Sequence, residues 1–294
     1  MNTTAATPAE IMVVCMARQV VDGEIVTQGL ATPLVAAAYL LARHTHAPHL
    51  YFASAIGQGV CRTPAPLGLT NVESLWLDGS LLNVGFARVA TEILPRLQPK
   101  EFFRPAQIDP YGNFNNLAFG KDYTHPRLRL PGSGGIPDVT TYLHDIHLYV
   151  PRHSRLTFTP ELDFRSGLGY AQERTHGAGP VYLVSDLGQF DFANGRLRLT
   201  SLHPGVELRH VQARTGFELE LAPDLQPTPP PTPEELRLLR EEIDPLGIRQ
   251  LELLSGAPRR LLLRAIIDAE TANAEAANAA NGYTKTRSPA GDAL

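Results

Sequence analysis

The sequence is poor in the residues that carry redox and metal chemistry. It has two cysteines, Cys15 and Cys61, with no CxxC spacing. That pattern excludes a disulfide framework and a cysteine-based zinc site, and it fits a reduced, cytoplasmic protein. Tryptophan occurs once, as Trp76, and reads as a packing anchor. Charged residues make up 19% of the chain and the formal net charge is -4, so nothing draws the protein toward nucleic acid or an anionic membrane. No apolar run reaches the ~18 residues of a spanning helix. No basic segment followed by an apolar core opens the chain, so no secretory signal is expected. Walker, GxGxxG and GxSxG motifs are all missing. What is present is 294 residues, 43% of them hydrophobic, enough for a sizeable core in one large or two small domains.

Periodicity places the elements. Thr7-Pro8-Ala9-Glu10 is a capping box with proline at the tolerated N1 position, and Ile11, Val14, Cys15 and Arg18 follow on one helical face. A strand over residues 24–28, a helix over 33–43 and a strand over 49–55 form a βαβ unit, which predicts parallel pairing. In open α/β sheets ligands bind at the carboxyl ends of such strands, here residues 54–57. Residues 58–80 read as irregular and 80–97 as helical. Strands are expected over 145–150, 179–185, 189–192, 196–202 and 217–221, with Ala193-Asn194-Gly195 as a hairpin turn. Residues 223–233 are proline-rich and expected to be extended and stiff. A second capping box, Thr232-Pro233-Glu234-Glu235, starts a helix to residue 243, and an apolar, basic helix is expected between residues 248 and 270. The reading divides the chain into a main domain at 1–245, an additional C-terminal helix at 246–270 and a disordered tail at 271–294.

The chemistry centres on residues 106–138, AQIDPYGNFNNLAFGKDYTHPRLRLPGSGGIPD. A strand runs into the turn Asp109-Pro110-Tyr111-Gly112-Asn113. A second strand, at 127–130, feeds Pro131-Gly132-Ser133-Gly134-Gly135, and a helix starts at Ile136 with Pro137 in its first turn and Asp138 near the positive end of its dipole. Such a turn either cradles an anion or oxyanion on its backbone N–H groups or merely connects two elements. Other candidates carry less. His44, His46 and His49 suggest either a metal site without an acidic partner or a solvated turn. His144 and His147 face no nucleophile. Asp163, Asp186 and Asp191 lack paired-carboxylate spacing.

AQIDPYGNFNN, Tyr123-Thr124-His125-Pro126 and LPGSGG resemble the B (β) subunits of the class I CoA-transferases, glutaconate type. The likeness continues through SGLGY (Ser166 to Tyr170), HPGV (His203 to Val206), TGFEL (Thr215 to Leu219) and LREEIDP (Leu239 to Pro245). It implies an open three-layer α/β/α sheet of the NagB/RpiA/CoA-transferase type and an active site shared with a homologous A (α) subunit. It also implies an acyl-CoA thioester as substrate, with no tightly bound cofactor and no metal. In that family a B-chain glutamate attacks the thioester and carries CoA through an anhydride and a glutamyl thioester. Gly132, Ser133, Gly134 and Gly135 would line the pocket as backbone donors to the thioester carbonyl, with Gln107 and Asn113 as further substrate contacts. Aligning HAPHLYFASAIG puts Ala55 at the glutamate position, and no glutamate occurs between His49 and Val72, Glu73 being the nearest carboxylate downstream. No catalytic residue is therefore assigned to this chain. SGLGY, SDLGQFDF, SLHPGV and PTPEELRLLREEIDP are also similar to the β subunits of steroid-ring CoA-thioester hydrolases, which do not use that glutamate. Transferase, hydrolase and a non-catalytic acyl-CoA-binding or scaffolding subunit stay open at this point.

Overall fold

A computed structural model describes residues 5–29, 31–54, 58–70 and 79–280. Trp76, Glu73 and Ala55 lie outside them. Thr7 caps α1 (Pro8–Ala17) from both directions, its hydroxyl accepting from Glu10 N and its own N–H donating to Glu10 Oε2 at 2.8 Å. The βαβ unit follows as β1 (Ile25–Thr27), α2 (Pro33–Thr45) and β2 (Tyr51–Ser54), and β1 and β2 pair in parallel. Residues 62–70 are irregular as expected, but two short strands stand on either side of that region, β3 (Gly59–Cys61) and β4 (Ser80–Asn83). They pair antiparallel on the edge of β2, a pairing supplied by tertiary context rather than by local pattern. The helical tendency is met only further on, by α3, which runs through Phe86–Arg88, a π-type stretch at Val89–Ile93 and Leu94–Leu97.

The next strand, β5 (Lys100–Phe103), precedes the central motif and joins β1 to β10 (Asp145–Val150), parallel to both. Between β5 and β10 lie two small antiparallel ribbons and a helix. The ribbons are β6 (Gln107–Ile108) with β7 (Phe114–Asn115), and β8 (Ala118–Phe119) with β9 (Leu128–Arg129); the helix is α4 (Ile136–Tyr142). Beyond β10 come β11 (Gly179–Ser185), β12 (Gly188–Ala193), β13 (Arg196–Leu202), α5 (Leu208–Arg214) and β14 (Glu220–Pro227). β14 extends into the proline-rich segment because it lies at the sheet edge, where proline's missing donor costs no ladder bond. The large sheet has ten strands in the order β14-β13-β12-β11-β10-β5-β1-β2-β3-β4.

Helices cover both faces, giving a three-layer α/β/α architecture. One face packs Val26, Phe52, Phe102, Tyr149 and Tyr182 against α1, α2 and the segment after α6 (Pro233–Arg237). The other packs Phe103, Ile146, Leu148 and Leu183 against α4 and α5, and Ala53 against α3. Ala36, Ala37 and Ala38 let α2 lie close to its neighbours, all three being buried.

The end of the chain differs from expectation. Ile248–Glu252 is a one-turn 3-10 segment, and the last helix, α7, spans Gly256–Ala280. The first ten residues of the expected disordered tail thus continue the helix, since their alanines are strong helix formers. The 3-10 turn is anchored in the body. Glu252, 8% exposed, accepts from Leu34 N at the start of α2 (3.0 Å), from the Tyr149 hydroxyl (2.9 Å) and from Arg104 (2.8 Å). Arg249 pairs with Asp244 and with Glu10 of α1, and Arg240 also reaches Glu10. Burial alone would raise the proton affinity of Glu10, but bonds from Arg240, Thr7 and Arg249 outweigh it and bring the pKa to about 2. On α7, Glu270 accepts from Leu69 N and Thr70 N at 2.7 and 2.8 Å. No helix among the described residues is long and apolar enough to cross a membrane.

Three histidines are buried as neutral rings. Burial lowers His147 to about 3, His153 to about 3 and His203 to about 4. His153 lies 3.0 Å from both Ser185 Oγ and Thr215 Oγ1, and His203 lies between Thr228 Oγ1 (2.9 Å) and the Ser185 carbonyl (2.8 Å). The unfolded rings titrate near 6.5, so below that pH the unfolded chain takes up protons that the folded chain refuses. The unfolding free energy from urea transitions should fall as the pH drops from 6.5 to 4, by at most about 1.4 kcal/mol per pH unit per histidine. The Glu101 carboxyl, raised by burial from 4.5 to about 8, adds the opposite slope between those values, so that stability also declines as the pH rises from 6.5 to 8. Glu252→Ala should lower unfolding stability at pH 7 by about 3 kcal/mol, read from the same urea transitions, because it strands Arg104 and uncaps α2.

Candidate functional site

The central motif is built around one aspartate. Asp109 Oδ1 accepts from Tyr111 N (2.8 Å) and Asn113 N (2.9 Å), an Asx turn that folds residues 109–113 back on themselves. Gly112 sits at φ +74°, and a Cβ there would come within 2.6 Å of Pro180 Cγ and 2.8 Å of Phe192 Cε1. Glycine is needed both for the backbone angle and for the approach to β11 and β12.

SGLGY clasps this turn. Gly167 N donates to Phe114 O and Phe114 N to Gly167 O, at 2.9 and 3.0 Å. Tyr170 N donates to Tyr111 O and Gly169 N to Asn113 Oδ1, both at 2.8 Å. A Cβ on Gly169 would lie 2.3 Å from Asn113 N and 2.3 Å from Gly112 C. The two sequence motifs are therefore halves of one interlocked loop pair.

Gln107 and Asn113 hold this assembly together. The Asn113 amide donates to Asp109 Oδ2 (2.9 Å) while its oxygen takes Gly169 N. Gln107 donates to Asp163 (3.2 Å) and accepts from Asn115 (2.7 Å) and Asp163 N (3.1 Å). Both side chains are buried and their polar atoms are committed internally. In this chain they position the loop.

The glycine turn stands apart and open. Gly132 and Gly134 take φ +114° and +52°, and a Cβ on either would meet nothing within 4 Å. The Ser133 carbonyl accepts from Ile136 N (3.0 Å), closing the turn onto α4. Among the described residues the N–H groups of Ser133, Gly134 and Gly135 have no acceptor. Helix α4 ends beside the start of β10, so the turn at its other end lies toward the carboxyl ends of the parallel strands.

At those carboxyl ends β1 closes with Thr27 and Gln28, and β2 with Ser54. Gln28 is 8% exposed and its Oε1 has no hydrogen-bond partner among the described residues. Level with Thr27, on the neighbouring strand, stands Glu101. Burial pushes its carboxyl up to about 8. Sequence reading passed over it, because KEFF is a four-residue strand without alternation; the signal available was an acidic residue directly before two phenylalanines. The histidines of HTHAPH separate, His46 Nε2 lying 3.0 Å from Val20 O and His49 Nδ1 2.8 Å from Asp22. Among the described residues no group of three or more His, Cys, Asp or Glu is placed to hold a metal ion.

No protein-family model matches the chain. Curated relatives do. The B-type chain of glutaconate CoA-transferase from Acidaminococcus fermentans is 31% identical over 258 residues, covering 82% of this chain and 94% of that protein. The cholesterol ring-cleaving hydrolase IpdB subunit of Rhodococcus jostii is 33% identical over 241 residues, covering 79% and 89%. Among solved structures, the decarboxylase AibA/AibB superposes with a TM-score of 0.71 at 30% identity, covering 83% of this chain and 97% of the matched one.

The loop clasp yields a direct test. Gly169→Ala should destabilise the fold by about 1–3 kcal/mol, since its methyl group meets backbone that cannot yield. Gly134→Ala, which meets nothing, should cost no more than the ~1 kcal/mol of a left-handed alanine. Paired thermal or urea unfolding of the two variants checks the contrast.

Proposed function

Because the chain belongs to the CoA-transferase family as a B-type subunit of a heteromeric protein, we propose that it works with a homologous A chain on acyl-CoA thioesters. In this reading the reaction proceeds without a covalent carrier at the end of β2. One observation carries it: the sequence offers no carboxylate from His49 to Val72. A CoA-transferring carrier must be a carboxylate, because only an acyl anhydride can be opened by the CoA thiolate to pass CoA on. Ala55, aligned with the family glutamate, cannot form one. Water then replaces the acceptor acid, and the product is a free acid and free CoA.

The remaining parts fit this chemistry. The unpaired N–H groups at Ser133, Gly134 and Gly135 suit a thioester oxygen on which negative charge develops. The open space beside Gly132 and Gly134 suits a site completed by a second subunit. The relatives include proteins named as a transferase, a hydrolase and a decarboxylase, so one fold accommodates reactions with and without CoA transfer.

The test uses the complex of this chain with its A-type partner and a panel of acyl-CoA thioesters. Free CoA should accumulate with no acceptor acid present. Mass spectrometry after hydroxylamine or borohydride quenching should find this chain unmodified. A glutamyl adduct anywhere on it, with turnover that requires an acceptor acid, would restore the transferase assignment.

A further inference from the structure

Glu101 differs from the three fully buried carboxylates among the described residues. Glu10, Asp244 and Glu252 each meet arginine. Glu101 makes no hydrogen bond and no ion pair among the described residues, although its strand lies in the middle of the sheet. An unpaired carboxyl inside a fold is costly, and such groups collect at functional sites.

Its place follows from register and alternation. Val26 pairs with Lys100 and Thr27 with Glu101; Thr27 pairs in turn with Ala53. Thr27 and Ala53 thus stand level with Glu101, about 5 and 10 Å away by strand spacing. Phe102 faces α1 and α2, so Glu101 points to the opposite face, the one that carries α3 and α4. α4 is the helix that opens with the glycine turn. Glu101 therefore lies on the glycine-turn side of the sheet, level with the last residue of β1 and one residue short of the end of β2. Its exposure as a residue is intermediate.

Among the described residues the surroundings supply no counter-charge. From α4 the neighbour that senses the Glu101 charge is Tyr142, whose phenol is raised by burial first and by Glu101 next. From α2, Tyr39 senses it through the sheet. Lys100 points the other way, to Glu24. On α3, Arg88 and Glu92 pair with each other at the surface, Arg96 bonds the Glu92 carbonyl, and Val89, Ile93 and Leu94 make the contact with the sheet. Asp138 on α4 is exposed.

We propose that Glu101 is a catalytic residue of the acyl-CoA site, acting as the proton-transfer carboxyl of hydrolysis. The inference rests on the acyl-CoA reading above. As the oxygen of water bonds to the thioester carbonyl carbon, one of its protons passes to the Glu101 carboxylate. The C–S bond then breaks with its electron pair on sulfur, and Glu101 returns that proton to the sulfur. The acid and the CoA thiol leave, and Glu101 is again ionised. A carboxyl whose proton affinity lies near neutrality is matched to both halves of this cycle.

The experiment compares wild type, Glu101→Gln and Glu101→Asp in the complex with the A-type chain. Glu101→Gln should lower kcat by about 100-fold or more with KM unchanged. Its complex should keep the wild-type mass by light scattering and its acyl-CoA affinity by calorimetry, and Glu101→Asp should recover part of the rate. Wild-type kcat/KM should rise to a plateau above pH about 8, and the rise should vanish in Glu101→Gln. Undiminished turnover in Glu101→Gln would overturn the proposal and leave the acyl-CoA reading standing. So would a covalent adduct on Glu101, which would make it the nucleophile. A wild-type complex that neither binds nor turns over any acyl-CoA would overturn the reading and the proposal together.

Discussion

The fold turns on β5. This short strand, Lys100–Phe103, is hydrogen-bonded to β1 on one side and β10 on the other, and it joins the two halves of the ten-stranded sheet. Its side chains divide the work by alternation. Phe102 enters the core under α1 and α2, and Phe103 enters the core under α4 and α5. The chain leaves β5 directly into Arg104 and the AQIDPYGN loop. Any slip of register here would turn Glu101 to the other face and pull the interlocked loops from their seat.

Carboxylates are buried in this protein in two ways, and the contrast is informative. Glu10 and Glu252 are surrounded by arginine, backbone N–H and hydroxyl donors. They tie the C-terminal segment to α1, α2 and β10, and removing a partner leaves an uncompensated charge. Among the described residues Glu101 has none of this support, and burial raises its proton affinity. The first arrangement holds the framework; the second raises the proton affinity of a carboxyl level with the last residue of β1.

Much of the framework is legible in the sequence because it is local. Both capping boxes form as Thr7 with Glu10 and Thr232 with Glu235. β10 occupies residues 145–150, and the Ala193-Asn194-Gly195 turn joins β12 to β13, with Asn194 and Gly195 at positive φ. The glycine turn leads into a helix that starts at Ile136. What escaped is what depends on distant partners. β3 and β4 form only because β2 offers an edge. The 3-10 turn at Ile248–Glu252 exists because Glu252 finds Leu34 N, 218 positions away. For the site, Gln107 and Asn113 look like exposed polar ligands in a one-dimensional reading. Only the folded loops show that their amides are already occupied, that of Asn113 by Asp109 and Gly169 and that of Gln107 by Asp163 and Asn115. Glu101 escaped for the opposite reason, since nothing local distinguishes an acid that keeps its partners from one that has none.

The two cysteines have a practical meaning. Cys15 and Cys61 are both buried, and burial pushes their thiols up to about 12 and about 11. A thiol reagent reacts with thiolate, which neither side chain supplies at neutral pH. This chain is therefore silent to the reagents that report liberated CoA, so it adds no background of its own to a continuous colorimetric record. A single cysteine introduced at an exposed position would be the one place on the described surface for a fluorophore to attach.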